Sequence, residues 1–351
     1  MITITPKLKE RFCKDYNISI KIFEEPYFLE RLKLYDKQYN TIEKWSIFIK
    51  EIQKYESEQQ YFEDYNRIKD EAINFIKNTK KYKEFNDLDM NQYKLIHNNL
   101  PSKDIYHPDN VGKLFISIDM KKANFSSLHK YSASIFGNKH TWEEFLSMFT
   151  NNQYIIQSKY IRQVILGNCN PKRHITYEKH IMDNILSQLE TIIPINNCVF
   201  FSNDEIIFQL PSSGISEEYY NIIKEIKKKI ELFPDLHDIQ VPVRMELFRL
   251  QKIYNTDGYI KNIFDDSFKS IKLELKCMNH NTLPFVLRSL NEESIEKNDA
   301  VFMHENMLAQ FIDFPEVIIP FLESRLTLPP NIENKKEEKN ESEDFDCDFL
   351  F

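Results

Sequence analysis

Glycine is scarce in this chain, with 5 among 351 residues, where about 7% is usual. The scarcity excludes glycine-rich phosphate loops, and neither a GxGxxG nor a Walker A pattern occurs. Any nucleotide must therefore be held by a metal and by basic side chains. Cysteine is sparse too: Cys13, Cys169, Cys198, Cys277 and Cys347 lie far apart and form no CxxC pair. That pattern argues against a zinc site and for a reducing, cytoplasmic compartment. No apolar run approaches the roughly 18 residues of a membrane span, and the opening MITITPKLKERF lacks the apolar stretch of a signal peptide. No membrane association is expected. The nine histidines are scattered with no HExxH, and no GxSxG elbow occurs. Zinc-protease and serine-hydrolase chemistry are thereby set aside.

What is abundant is apolar and aromatic surface, 42% and 13% of residues, enough for a real core. Lys, Asn, Ile, Tyr and Phe are frequent, as an AT-rich genome favours. The length exceeds that of an ordinary single domain. Net charge is −8 and unevenly placed: residues 331–351 hold eight acids and three lysines, leaving the remainder close to neutral. A near-neutral body can still carry a local basic groove for nucleic acid.

Apolar spacings of three and four predict helices over 27–35 and 42–49, within a helical N-terminal domain, residues 1–105. The charges between 52 and 82 are mixed in sign, as on a solvated helical pair. From 113 the pattern changes. KLFISID (113–119) reads as a strand, followed by helices over 121–136, 141–149, 154–167 and 173–190. A hairpin over 197–210, a helix over 216–232 capped by Ser216, and strands over 238–253 and 270–278 follow. The predicted fold is α+β, an antiparallel split-βαβ sheet covered by helices, at 106–278. A mixed subdomain at 279–330, with helices near 304–312 and 315–326, and a disordered acidic tail at 331–351 complete the chain.

In this topology Asp119 ends the first strand, while Asp204 and Glu205 occupy the hairpin turn. Carboxylates gathered at one edge repel one another unless a cation neutralises them, and Mg²⁺ (or Mn²⁺) bound by one or two carboxylates plus phosphates is the natural solution. Adjacent strand residues face opposite sides, so Glu205 is expected to point away, leaving Asp119 and Asp204 as the metal pair. The plainer alternative is a hairpin whose turn merely uses Ser, Asn and Asp. Lys159, Arg162, Lys172 and Arg173 flank a GNCNP turn and suit a triphosphate, Arg gripping two oxygens at once; the alternative is helix-end capping. Arg244 and Glu246 share one face of their strand, with Arg249 on the other; pairing with each other is the favoured reading, and lining the active-site edge is the alternative.

ISIDMKKANFSSL (116–128) resembles the first metal-binding motif of palm-domain polymerases, reverse transcriptases in particular. FSNDEIIF (201–208) resembles their hairpin motif, an aromatic residue before paired acids. More distantly, the pair is similar to diguanylate-cyclase domains. Ser202 and Asn203 stand where the cyclases carry glycines, Asp204-Glu205 where reverse transcriptases carry two aspartates, and a glycine-rich second motif is missing. The resemblance implies a palm-domain polymerase or primase-like nucleotidyltransferase using nucleoside triphosphates on nucleic acid. Asp119 and Asp204 would hold Mg²⁺ with Glu205 assisting, Lys159, Arg162, Lys172 and Arg173 would bind triphosphate, and Lys276 would reach a phosphate; the alternative for Lys276 is an ordinary edge-strand lysine. The alternative function is a non-catalytic palm-like subunit that binds nucleic acid or a replication or transcription partner. Its handle would be the segment 344–351, whose Phe345, Phe349 and Phe351 alternate with acids and suit a basic, apolar pocket on a protein partner. Similar acidic tails occur on single-stranded-DNA-binding proteins of replication systems.

Overall fold

The computed structural model describes residues 2–210 and 214–328. Five helices precede the first strand: α1 (Pro6–Tyr16), α2 (Tyr27–Tyr39), α3 (Thr41–Ile52), α4 (Glu58–Asn78) and α5 (Lys80–Asp87). Their starts are set by side-chain caps: Thr5, Ser57 and Thr79 accept from the amides of Leu8, Gln60 and Tyr82. Asn17 and Asn40, in left-handed conformation, end α1 and α2. On α4 the mixed charges sit outside, Arg67 bonding Asp64 and Glu71, while Tyr61, Tyr65, Ile68 and Ile76 are buried.

Strand β1 (Leu114–Met120) leads into α6 (Ala123–Tyr131), α7 (Trp142–Leu146), α8 (Gln153–Gln157), α9 (Lys159–Gly167) and α10 (Pro171–Leu189). Then come β2 (Cys198–Phe201), β3 (Glu205–Leu210), α11 (Glu217–Glu231), β4 (Val243–Lys252), β5 (Tyr259–Phe264) and β6 (Ser270–Lys276). α12 (Leu283–Leu290) and a small hairpin of β7 (Val301–His304) and β8 (Met307–Gln310) follow. The class is α+β. Six strands form one antiparallel sheet in the order β2-β3-β1-β4-β5-β6, with β1 in the interior.

The two-residue alternation of β1 divides the core. Leu114, Ile116, Ile118 and Met120 join the large apolar cluster that includes helices α1 to α11, while Phe115 turns to the other face and packs with Ile207, Phe248 and Ile263. On that second face only Ile105, with Tyr106 and Val111, comes from outside the strands and the hairpin. One cluster thus runs without interruption from Ile2 and Phe12 into the sheet. Buried Arg31 of α2 adds a polar tie, donating to Asp299 at 2.9 Å and to three carbonyls of residues 298–301.

Three expectations need correction. Strand β5 was not foreseen; its six residues are all buried, so the alternation that marks a strand is absent. Residues 304–312 form a hairpin, not a helix: Glu305 and Asn306 both take positive φ, 47° and 63°, the geometry of a tight type I′ turn. Residues 315–326 run extended, bridging Tyr254 to Ile318 and Lys269 to Arg325. Pro320 falls inside the expected helix, where it removes an amide donor and clashes with the preceding turn. The expectations for 331–351 lie outside the described residues.

Candidate active site

Ser202 builds the turn between β2 and β3. Its hydroxyl accepts from the amides of Asp204 (3.2 Å) and Glu205 (3.0 Å) and donates to Asp204 Oδ1 at 2.9 Å. The Met120 amide donates to the Asp204 carbonyl at 2.8 Å, which fastens the turn to the end of β1. Asp204 therefore belongs to the turn, and β3 begins at Glu205, the register partner of Asp119. Cross-strand partners share a face. The expectation that Glu205 points away from Asp119 is corrected: the two acids face the same side, and Asp204 flanks them.

On its other flank Asp119 is paired with Arg244, whose guanidinium donates to Asp119 Oδ2 at 3.0 Å and lies 3.3 Å from Glu246. Glu246 also bonds Lys261 of β5. The Ser117 hydroxyl donates to Glu205 at 2.5 Å. The face opposite the helices thus carries two adjacent acids on β3 and β1, followed by Arg244, Glu246 and Lys261 in alternating sign on β4 and β5. Ion pairing of Arg244 with Glu246 matches expectation, and Arg249 finds its own partner in Glu323.

Burial raises the Asp119 carboxyl above the ordinary carboxylate range, with Asp204 and Glu246 adding to the rise and Arg244 opposing it. Burial raises Glu205 as well; the Ser117 bond and Lys261 pull it down, and Asp119 and Asp204 push it up. A fourth acid, missed in the sequence, completes the group. Glu178 of α10 is buried, pushed up to about 7 chiefly by desolvation and further by Asp204. It accepts from Asn203 at 2.6 Å and from Ser127 at 3.4 Å, so it grips the tip of the turn from the helix side. Its signal was available: Glu178 interrupts the apolar stripe Ile181, Ile185 and Leu189 of α10.

The basic residues divide. Arg162 of α9 is half-buried; burial lowers its guanidinium below the usual value against the opposing pull of Glu143. Glu143 also accepts from Lys122 at 2.7 Å, so Arg162 stands beside the turn that follows Asp119. Arg173 goes elsewhere, donating to the carbonyls of Phe85 and Leu88 at the end of α5; here the capping alternative holds. Lys159 and Lys172 are exposed and their side chains bond no described residue. Lys276 pairs with Glu274 at 2.9 Å on the edge strand β6. Its register partner Tyr259 faces Lys252, at the far end of β4 from Arg244. Eight residues of strand, about 26 Å, separate the two ends, so Lys276 cannot serve the acids.

Among the described residues, no group of three or more His, Cys, Asp or Glu side chains is arranged to hold a metal ion. These acids do not form a cage made by protein alone. Their donor set is entirely oxygen, and each carboxylate is held by a donor of the chain itself. Such a set suits a hard divalent cation completed by water and substrate phosphate, which would have to exchange with those donors. No helix among the described residues is long and apolar enough to cross a membrane. No protein-family model, curated protein or solved structure matches the chain.

Proposed function

We propose that the chain is a palm-like, divalent-metal-dependent nucleotidyltransferase acting on nucleic acid, polymerase- or primase-like in its reaction. The observation that carries this reading is the placement of Asp119 opposite Glu205, with Asp204 in the adjoining turn. The strand order β2-β3-β1-β4, with helices between β1 and β2 and between β3 and β4, is that of a split βαβ unit and supports the palm-like part.

In this reading Asp119 and Asp204 hold Mg²⁺, with Glu205 beside them. The ion, when bound, neutralises charge on a nucleoside triphosphate and favours attack by a hydroxyl at its α-phosphate. The chain's own residues do the positioning. Ser202 and the Met120 amide fix Asp204 against β1, Ser117 orients Glu205, and the Glu178–Asn203 bond holds the tip of the turn. Arg162 brings positive charge to the same end, where triphosphate oxygens need it, while Lys122 is engaged by Glu143. Arg244 serves as Asp119's counter-ion when no metal is bound. The face opposite the helices, only partly covered, would carry the nucleic acid.

That same Arg244 bond favours a second reading, a non-catalytic subunit in which Asp119 is permanently neutralised. Incorporation of nucleoside triphosphates on primed DNA and RNA templates with Mg²⁺ or Mn²⁺ separates them. Nucleotidyl transfer predicts activity that Asp119→Asn and Asp204→Asn each reduce by at least about 100-fold. An inactive wild-type chain, or variants as active as wild type, would rule the enzymatic reading out.

A further inference from the structure

A cavity of about 310 Å³ lies between α11 and the β4–β5 part of the sheet, at the end where β1 delivers Asp119. Its wall is apolar, with Val243 and Phe264, and its rim carries Lys121, Lys224, Lys227 and Arg244. Three acids also line it: Asp266 pairs with Lys227 and uses up that charge, Asp265 is engaged by the amides of Ser267 and Lys269, and Glu231 sits on α11. The Lys121 side chain has no partner among the described residues. Lys121 and Lys224 are the rim cations outside an ion pair among the described residues, and set above an apolar wall they suit a ligand that alternates apolar groups with negative charge.

The chain supplies such a ligand next to the cavity. Its last described residues run alongside: Lys269 bridges Arg325, and the Leu326 amide donates to the carbonyl of Phe268, a cavity residue, at 2.9 Å. The Ile215 amide, just before α11, donates to Thr327 at 3.3 Å. Beyond Leu328 lies the acidic stretch that includes Asp344-Phe345-Asp346-Cys347-Asp348-Phe349-Leu350-Phe351. The residues from Leu328 to Phe345 can span up to about 56 Å, far more than the cavity's neighbourhood requires. We propose that this acidic, aromatic segment docks into the cavity of its own chain, its phenylalanines against the apolar wall and its carboxylates on the lysines. In that position it covers Lys121 and competes with Asp119 for Arg244. The docking rests on charge, shape and chain path, and stands independently of nucleotidyl transfer.

A disulfide trap in the full chain tests it. Cys277, the exposed cysteine among the described residues, is replaced by Ser, and Cys347 is left as the tail's thiol. A partner thiol is placed on the cavity by Glu231→Cys, or on α3 by Lys50→Cys as a remote control, and copper-phenanthroline is the oxidant. Docking predicts an intrachain disulfide at position 231 that forms at least about tenfold faster than at position 50, because docking raises the local thiol concentration. Adding Lys224→Glu with Lys227→Glu, or replacing the three tail phenylalanines by Ser, must abolish that advantage. Equal rates at the two positions, or a rate indifferent to those substitutions, would overturn the proposal. So would disulfides between chains whose yield rises with protein concentration.

Discussion

Asp119 of β1 lies between two register partners, Glu205 on β3 and Arg244 on β4, and its carboxylate is already bonded to the second. The pairing sets a competition, since a cation that takes Asp119 Oδ2 must displace the guanidinium. Both groups are partly exposed, so the pair is worth less than about 1 kcal/mol. Arg244→Gln is therefore expected to tighten Mn²⁺ binding about two- to fivefold, read by titration calorimetry or by electron paramagnetic resonance of free Mn²⁺. Unchanged or weaker binding would show that Arg244 does not guard a metal site.

Glu178 makes a prediction with a definite sign. Its folded-state value of about 7 lies above the ordinary carboxylate value of 4.5, so the folded chain holds this proton more tightly than the unfolded chain. Stability from this group is fully present below about pH 4.5 and is lost as pH rises toward 7. The loss is on the order of 3 kcal/mol when complete. Glu178→Gln keeps a neutral acceptor for Asn203 and removes the titration. Urea denaturation from pH 5 to pH 7.5 is expected to show wild type losing stability relative to the variant. Parallel pH dependences would mean that Glu178 is ionised in the fold throughout.

The legible parts of the sequence were those where local chemistry acts alone. β1, the β2–β3 hairpin and α11 with its Ser216 cap lie where alternation, turn residues and capping place them. β5 escaped because burial of both faces removes the alternation, and β7–β8 escaped because Glu305 and Asn306 form a turn without glycine. At the site, the convergence of Asp119 with the hairpin acids was readable, but which of them faces it was not. That depends on where the turn stops and the strand starts, and Ser202's bonds decide it for Glu205. Charge spacing misled at Arg173, because sequence proximity to other cations says nothing about the α5 carbonyls that claim it. At Lys276 the phosphate role came from the resemblance alone, and the edge-strand alternative is the one found.

Arg162 and Arg173, close in sequence, are expected to behave differently on substitution. Arg162→Ala removes a cation beside Lys122 and Glu143 at the end of β1, and should raise the KM for nucleoside triphosphate about tenfold with little change in melting temperature. Arg173→Ala leaves the α5 carbonyls without their donor and should lower stability by about 1–2 kcal/mol while leaving KM unchanged. Thermal melts and steady-state incorporation kinetics on both variants check the contrast. The reverse pattern would return Arg173 to the substrate and remove Arg162 from it.

The tie between α2 and the segment before β7 decides whether the helical N-terminal part unfolds with the sheet. Arg31 and Asp299 are both nearly fully buried, and Arg288 bonds the second Asp299 oxygen at 2.9 Å. Removing one partner of a buried pair leaves a charge without compensation, at a cost of about 3–5 kcal/mol. Asp299→Asn, which leaves two arginines facing a neutral amide, should reach that range. Arg31→Met should cost less, because Arg288 still neutralises Asp299. The double variant should be less destabilised than the sum of the two, since both remove the same bond. Because one apolar cluster joins α1 through α5 to the sheet, each variant should still unfold in a single urea transition, followed by fluorescence of Trp45 in a Trp142→Phe background and by circular dichroism of the whole fold. Two separated transitions in Arg31→Met would show that the N-terminal helices hold together on their own and that this ion pair, more than the shared core, binds them to the rest.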